Sequence, residues 1–140
     1  MTGDSPTLDQ TLRNIQILHG VFMATVIMYA YVLRLLARTA AVADPVFFWS
    51  IAGIATGCYC ASLLVRARKV GPTLERLRLN PDDTAALTSW RSGMILTDVS
   101  MEFVVLFGFA LYCLGAPGQQ VAAFFVVPFV TMLLLFPKRP

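Results

Sequence analysis

From Pro45 to Val65 the chain runs for 21 residues without one charged side chain. A helix needs about 20 apolar residues to cross the hydrocarbon of a bilayer. Three more apolar stretches accompany this one: Ile15 to Leu36, Ser92 to Ala116, and Val121 to Phe136. The last is short, but Gln119 and Gln120 extend it at one end and Pro137-Lys138-Arg139 at the other. The expected spans are therefore 15–36, 45–65, 92–116 and 119–136, with a polar loop over 66–91. The runs are continuous rather than alternating, which excludes barrel strands.

Composition points the same way. Of 140 residues 57% are hydrophobic and 14% charged, against about 25% charged in soluble domains. A soluble fold of this length has too little interior to hide that much apolar surface. Disorder, a soluble nucleic-acid binder and an ordinary cytosolic enzyme are excluded. The connections at 38–44 and 116–120 are short, so successive helices are antiparallel neighbours. The expected fold is all-α: an integral membrane four-helix up-down bundle, as one domain. Ala41-Val42-Ala43 resembles a signal cleavage site, but the acidic start (Asp4, Asp9) and the basic residues Arg34 and Arg38 before it predict a retained helix.

The basic residues set the orientation. Arg13, Arg66, Arg68, Lys69, Arg76, Arg78, Arg91, Lys138 and Arg139 fall on one side of the spans, and only Arg34 and Arg38 on the other. The positive-inside rule places both termini and the 66–91 loop in the cytoplasm, in a cell (inner) membrane. Phe47, Phe48 and Trp49 form an aromatic belt at the opposite interface, and Trp90 is an anchor on the cytoplasmic side. Within the loop, Leu74, Leu77 and Leu79 among charges predict a short interfacial helix over 70–79. Asn80-Pro81-Asp82-Asp83 reads as an N-cap, a proline at the first helical position and acids in the first turn. Ser5-Pro6 gives a similar start to the first helix. Pro128 removes one backbone bond from the fourth span.

Asp98 and Glu102 are the residues with chemical potential. Four apart in the third span, they share a helix face. Counted from Ser92 they lie about 9 and about 15 Å along the helix, Glu102 near mid-bilayer. An ionised acid there costs about 2.5–3.5 kcal/mol on the insertion scale, so it pairs, lines water or stays protonated. Two acids this close can share one proton. Arg91 or Arg13 would pair with Asp98 from the same membrane side. By depth, His19, Tyr59, Ser100 and Thr131 are their possible companions. Glu102, Asp98 and His19 are thus the candidates for binding a proton or ion, and a structural hydrogen-bonded knot is the alternative. His19 is the only histidine, which excludes a haem held by two histidines within this chain. Cys58, Cys60 and Cys113 read as small buried residues, and no metal site is expected. Gly53, Gly57 and Ala61 form a small-residue face for close helix packing, within the bundle or between chains, and Gly20 and Ala24 do the same.

The stretch Glu102-Phe-Val-Val-Leu106-Phe107-Gly108 resembles the carboxylate helix of the proteolipid ring subunits of rotary ATP synthases and ATPases. The resemblance implies that Glu102 is an ion-binding acid. It covers seven residues, and the glycine-dense partner helix of that family has no counterpart here. The whole chain reads as an accessory or structural subunit of a larger membrane complex. The alternative is a proton- or cation-translocating homo-oligomer using Glu102 and Asp98. No enzymatic activity and no cofactor are expected. The partners expected are the lipid bilayer and other membrane subunits or copies of the chain, with no nucleic acid.

Overall fold

A computed structural model describes residues 7–36 and 44–137. Helix α1 is Leu8–Leu35, α2 Pro45–Val65, α3 Gly71–Leu79, α4 Thr84–Cys113 and α5 Gly118–Leu134. A π-helical turn, Arg66–Val70, joins α2 to α3 without a break. The result is an all-α, four-helix up-down bundle, with no strand among the described residues. Helices α1, α2–α3 and α4 are long and apolar enough to cross a membrane, and α5 is a shorter apolar helix of 17 residues.

The helix ends follow local chemistry. The Thr7 hydroxyl accepts from the Gln10 amide, and the Asp44 carboxylate accepts from Val46 just ahead of α2, whose first residue is Pro45. These are side-chain caps for the first orphan N–H groups. The start signal at Ser5-Pro6 lies outside the described residues, as do Arg38, Ala41-Val42-Ala43 and the Lys138-Arg139 tail. Helix α4 ends in a Schellman turn. Gly115 takes φ 94°, its amide bonds the Tyr112 carbonyl, and the Ala116 amide bonds that of Leu111. Only glycine adopts that φ without strain.

Two expectations for the middle segment are corrected. Asn80-Pro81 does not begin α4. A residue before proline is pushed out of the helical region, so Asn80 is extended and ends α3. Asn80–Asp83 then forms a turn, and Asp83 caps α4 by accepting from Ala86. The 70–79 segment is helical but is not a separate helix. It continues α2 and turns Val70, Thr73 and Leu77 onto the first turns of α4. The widened turn falls just ahead of Pro72, whose ring would clash with a carbonyl four residues back in a regular helix.

Helix α4 is the central strut: twelve of its residues are buried, against two in α2. Its buried positions recur every three or four residues, the spacing that keeps one stripe inward. They divide into two apolar tiers. At the end carrying the α1 start and α3, Trp90, Leu87 and Met94 pack with Ile15, Val70 and Leu77. Toward the other end, Met101, Val105 and Leu111 pack with Val26, Val121, Phe125 and Met132. Trp90 is therefore not an interface anchor: it is 1% exposed, at the heart of the first tier. Phe47 and Trp49 are exposed as a belt requires, while Phe48 packs on the second tier.

Glycine marks the close approaches. A Cβ on Gly93 would lie 3.0 Å from the Val70 side chain, and one on Gly108 would lie 2.5 Å from the Phe124 Cβ. The Gly53–Gly57–Ala61 face is not such a contact. All three residues are exposed, and a Cβ on either glycine would meet nothing within 4 Å. The same holds for Gly20, and Ala24 is exposed. The within-bundle reading of this face is thus corrected: α2 packs through Ala55 and Ser62 and turns its glycines outward. Cys60 and Cys113 are likewise exposed rather than buried, and all three thiols are free.

Candidate functional site

Between the two apolar tiers lies a polar layer. His19 sits one helical turn beyond Ile15 of the first tier, and Asp98 one turn beyond Met94. The His19 Nδ1 lies 2.9 and 3.0 Å from the two Asp98 carboxyl oxygens, and its Nε2 lies 3.0 Å from the Met132 carbonyl. The imidazole edge also meets the Phe136 ring at 5.4 Å. Both residues are almost completely buried.

The partners dictate the protonation pattern. A carbonyl oxygen only accepts, so Nε2 carries a hydrogen. The remaining proton lies between Nδ1 and the carboxyl, giving an imidazolium with a carboxylate or a neutral pair. Either way the pair has no net charge and no unsatisfied nitrogen. Arg66 adds a cation within electrostatic reach of Asp98. Its guanidinium donates to the Leu135 carbonyl at 3.0 Å and to the Met94 sulfur at 3.5 Å.

These bonds answer a specific need. The last carbonyls of a helix have no partner within it, and α5 ends in apolar residues that cannot cap it. Three side chains from elsewhere bond carbonyls in its last turn and just past it. His19 takes the Met132 carbonyl, Arg66 that of Leu135, and the Gln16 amide donates to that of Pro137 at 3.1 Å. The layer is a clasp that fastens α1, the end of α2 and α4 to the end of α5.

The polar cluster expected from depth divides. His19 and Asp98 meet. Tyr59 and Thr131 form a separate hydroxyl pair at 2.9 Å between α2 and α5. Ser100 donates to the Leu96 carbonyl of its own helix. Neither Arg91 nor Arg13 pairs with Asp98; both are exposed and His19 occupies the carboxyl. Asp98 and Glu102 share no hydrogen bond. Both Glu102 carboxyl oxygens are buried and have no hydrogen-bond partner. The two acids are one turn apart, yet one is saturated and the other is alone.

Sequence reasoning missed Arg66 and Gln16. A signal existed for Arg66: it is the first charge after the 21-residue apolar run. Gln16 carries none, since its role depends on where α5 ends. Among the described residues no group of three His, Cys, Asp or Glu side chains comes together to hold a metal. Among the described residues, a cleft of 180 Å³ opens between α2 and α5 and one of 550 Å³ between α1 and α5. Neither is lined by His19, Asp98 or Glu102. Compared with known proteins, the chain matches no family model, no curated protein and no solved structure.

Proposed function

We propose that the protein is a small polytopic membrane subunit, both termini cytoplasmic, that works by docking against other subunits or further copies of itself. One observation carries this reading: the buried ionisable pair is used up in fastening helices. His19 is bonded on both ring nitrogens, and Asp98 lines neither flank cleft. What the bundle leaves available is its outer surface. There the Gly20 and Gly53–Gly57 positions are open to a close helix approach.

A second reading has its own support. The Glu102 carboxyl is buried and unpartnered, and an acid in that state within a bilayer stays protonated or awaits a partner. It is also the residue that the proteolipid resemblance points to. On this reading copies of the chain move protons or cations, with Glu102 as the carrier. Glu102→Gln decides between the two. A docking subunit keeps its assembly with this variant, because the amide is neutral and nearly isosteric. An ion carrier loses flux in liposomes, because an amide cannot release a proton. Wild-type chain that gives no flux and assembles only with other subunits supports docking. Flux abolished in Glu102→Gln with the fold intact overturns it.

A further inference from the structure

The wider flank cleft has features that none of the foregoing uses. It holds 550 Å³, within the range of about 300–1,000 Å³ typical of ligand sites. Its walls are α1 at Ala30 and Leu33, α4 at Tyr112, and α5 at Val121, Ala122 and Phe125. At their other end these two helices are tied by the His19–Met132 and Gln16–Pro137 bonds. Here the small side chains of Ala30 and Ala122 leave the space between them unfilled.

The one charged lining residue is Arg34, in the last turn of α1. It is exposed, and among the described residues no carboxylate lies within ion-pair distance of it. Asp44, the nearest acid in sequence, is engaged as the cap of α2. The depth is set by α5. Its 17 residues rise about 26 Å, slightly less than the hydrocarbon thickness of about 30 Å, so a spanning α5 has both ends close to the two boundaries. Gly118, at the start of α5, shares the cleft with Arg34, so on the membrane reading both belong near the headgroups. From Gly118 to Val126 the cleft wall descends about 12 Å into the hydrocarbon.

An apolar slot of that depth, opening sideways and with an unpaired cation at its rim, has the polarity of a lipid. We propose that this cleft holds one acyl chain of an anionic phospholipid, with its phosphate on Arg34. The proposal rests on the membrane reading above and adds a ligand to it.

The test uses the full chain in nanodiscs of equal phosphatidylglycerol and phosphatidylcholine, with bound lipids counted by native mass spectrometry. Wild type is expected to retain one phosphatidylglycerol in preference to phosphatidylcholine. Arg34→Gln should lower that retention about fivefold, equivalent to about 1 kcal/mol, and leave phosphatidylcholine unchanged. Ala122→Phe fills the slot and should reduce retention of both lipids. Val130→Phe, on an exposed α5 position outside the cleft, should change neither. Wild-type retention in both Arg34→Gln and Ala122→Phe would overturn the site, as would a free fatty acid bound in place of the phospholipid. A chain that fails to enter nanodiscs at all overturns the membrane reading itself, and so is distinguishable from failure of the cleft.

Discussion

The clasp makes a quantitative prediction through its asymmetry. His19→Leu removes both ring nitrogens at once and strands two partners, the Asp98 carboxyl and the Met132 carbonyl. A buried polar group left unsatisfied costs about 1–3 kcal/mol, which gives about 2–6 kcal/mol for the pair. Hydrogen bonds inside membrane proteins average only about 0.6 kcal/mol and reach about 1.7. The desolvation figure governs here, because Asp98 is 2% exposed and cannot turn to water. The low end of that range applies, since the carboxyl can take a proton and shed its charge. The expected loss is about 2–3 kcal/mol.

Asp98→Leu is milder. The imidazole keeps Met132 and loses one partner, for about 1–3 kcal/mol. In the double variant both polar groups are replaced by apolar ones, and only the Met132 carbonyl is stranded, again about 1–3 kcal/mol. The two single losses therefore sum to more than the double loss by about 2 kcal/mol, the mark of a coupled pair. Unfolding in mixed micelles by increasing dodecyl sulfate measures all four proteins. Trp90 serves as the fluorescent probe, since it is buried and Trp49 is largely exposed. A double variant as unstable as the sum of its singles, with coupling below about 0.5 kcal/mol, would refute the clasp.

Gly108→Ala places a methyl 2.5 Å from the Phe124 Cβ, so α5 must shift, and the same titration should show a loss of about 1–3 kcal/mol. Gly57→Leu meets open space and should leave monomer stability within about 0.5 kcal/mol, while assembly with copies or partners, read by cross-linking, is disrupted; unchanged assembly would mean the face only touches lipid. Trp90→Ala empties the centre of the first apolar tier and should cost about 3–5 kcal/mol, which a surface anchor would not. For orientation, reporters fused after Pro140 should be active only in their cytoplasmic form, and the opposite result would invert the bundle.

The helices were legible because each reports on itself. Pro45 to Val65 matches α2 residue for residue, since a charge-free run between Asp44 and Arg66 has clear limits. The third spanning helix, expected from the Asn80-Pro81 signal to start at Pro81, starts three residues later at Thr84, with Asp83 as its cap. Proline pushes Asn80 out of the helical region, so Asn80 ends α3 instead of capping α4, and the first turns of α4, at Ala86, Leu87 and Trp90, are buried against Val70 and Leu77. The small-residue face misled for a related reason. Small-xxx-small spacing shows that a close approach is possible, and not which neighbour makes it. Gly93, and Gly108, which lacks that pattern, are the glycines actually under contact.

Asp98 and Glu102 show where one helix stops being informative. Their spacing puts both acids on one face of α4, and both carboxyl groups are buried. Their different fates come from the neighbours. Asp98 stands level with the end of α5, where unsatisfied carbonyls draw His19, Arg66 and Gln16 into a polar layer. Glu102 stands about 6 Å further along, beside Met101 of the second apolar tier and Val105 one turn on. There the surrounding helices have their backbone bonds made, and nothing draws a donor to that level. A carboxyl one turn past a saturated polar layer is left without a partner by geometry rather than by composition. That is why the Glu102 side chain, and not the paired Asp98, is the group whose substitution separates a docking subunit from an ion carrier.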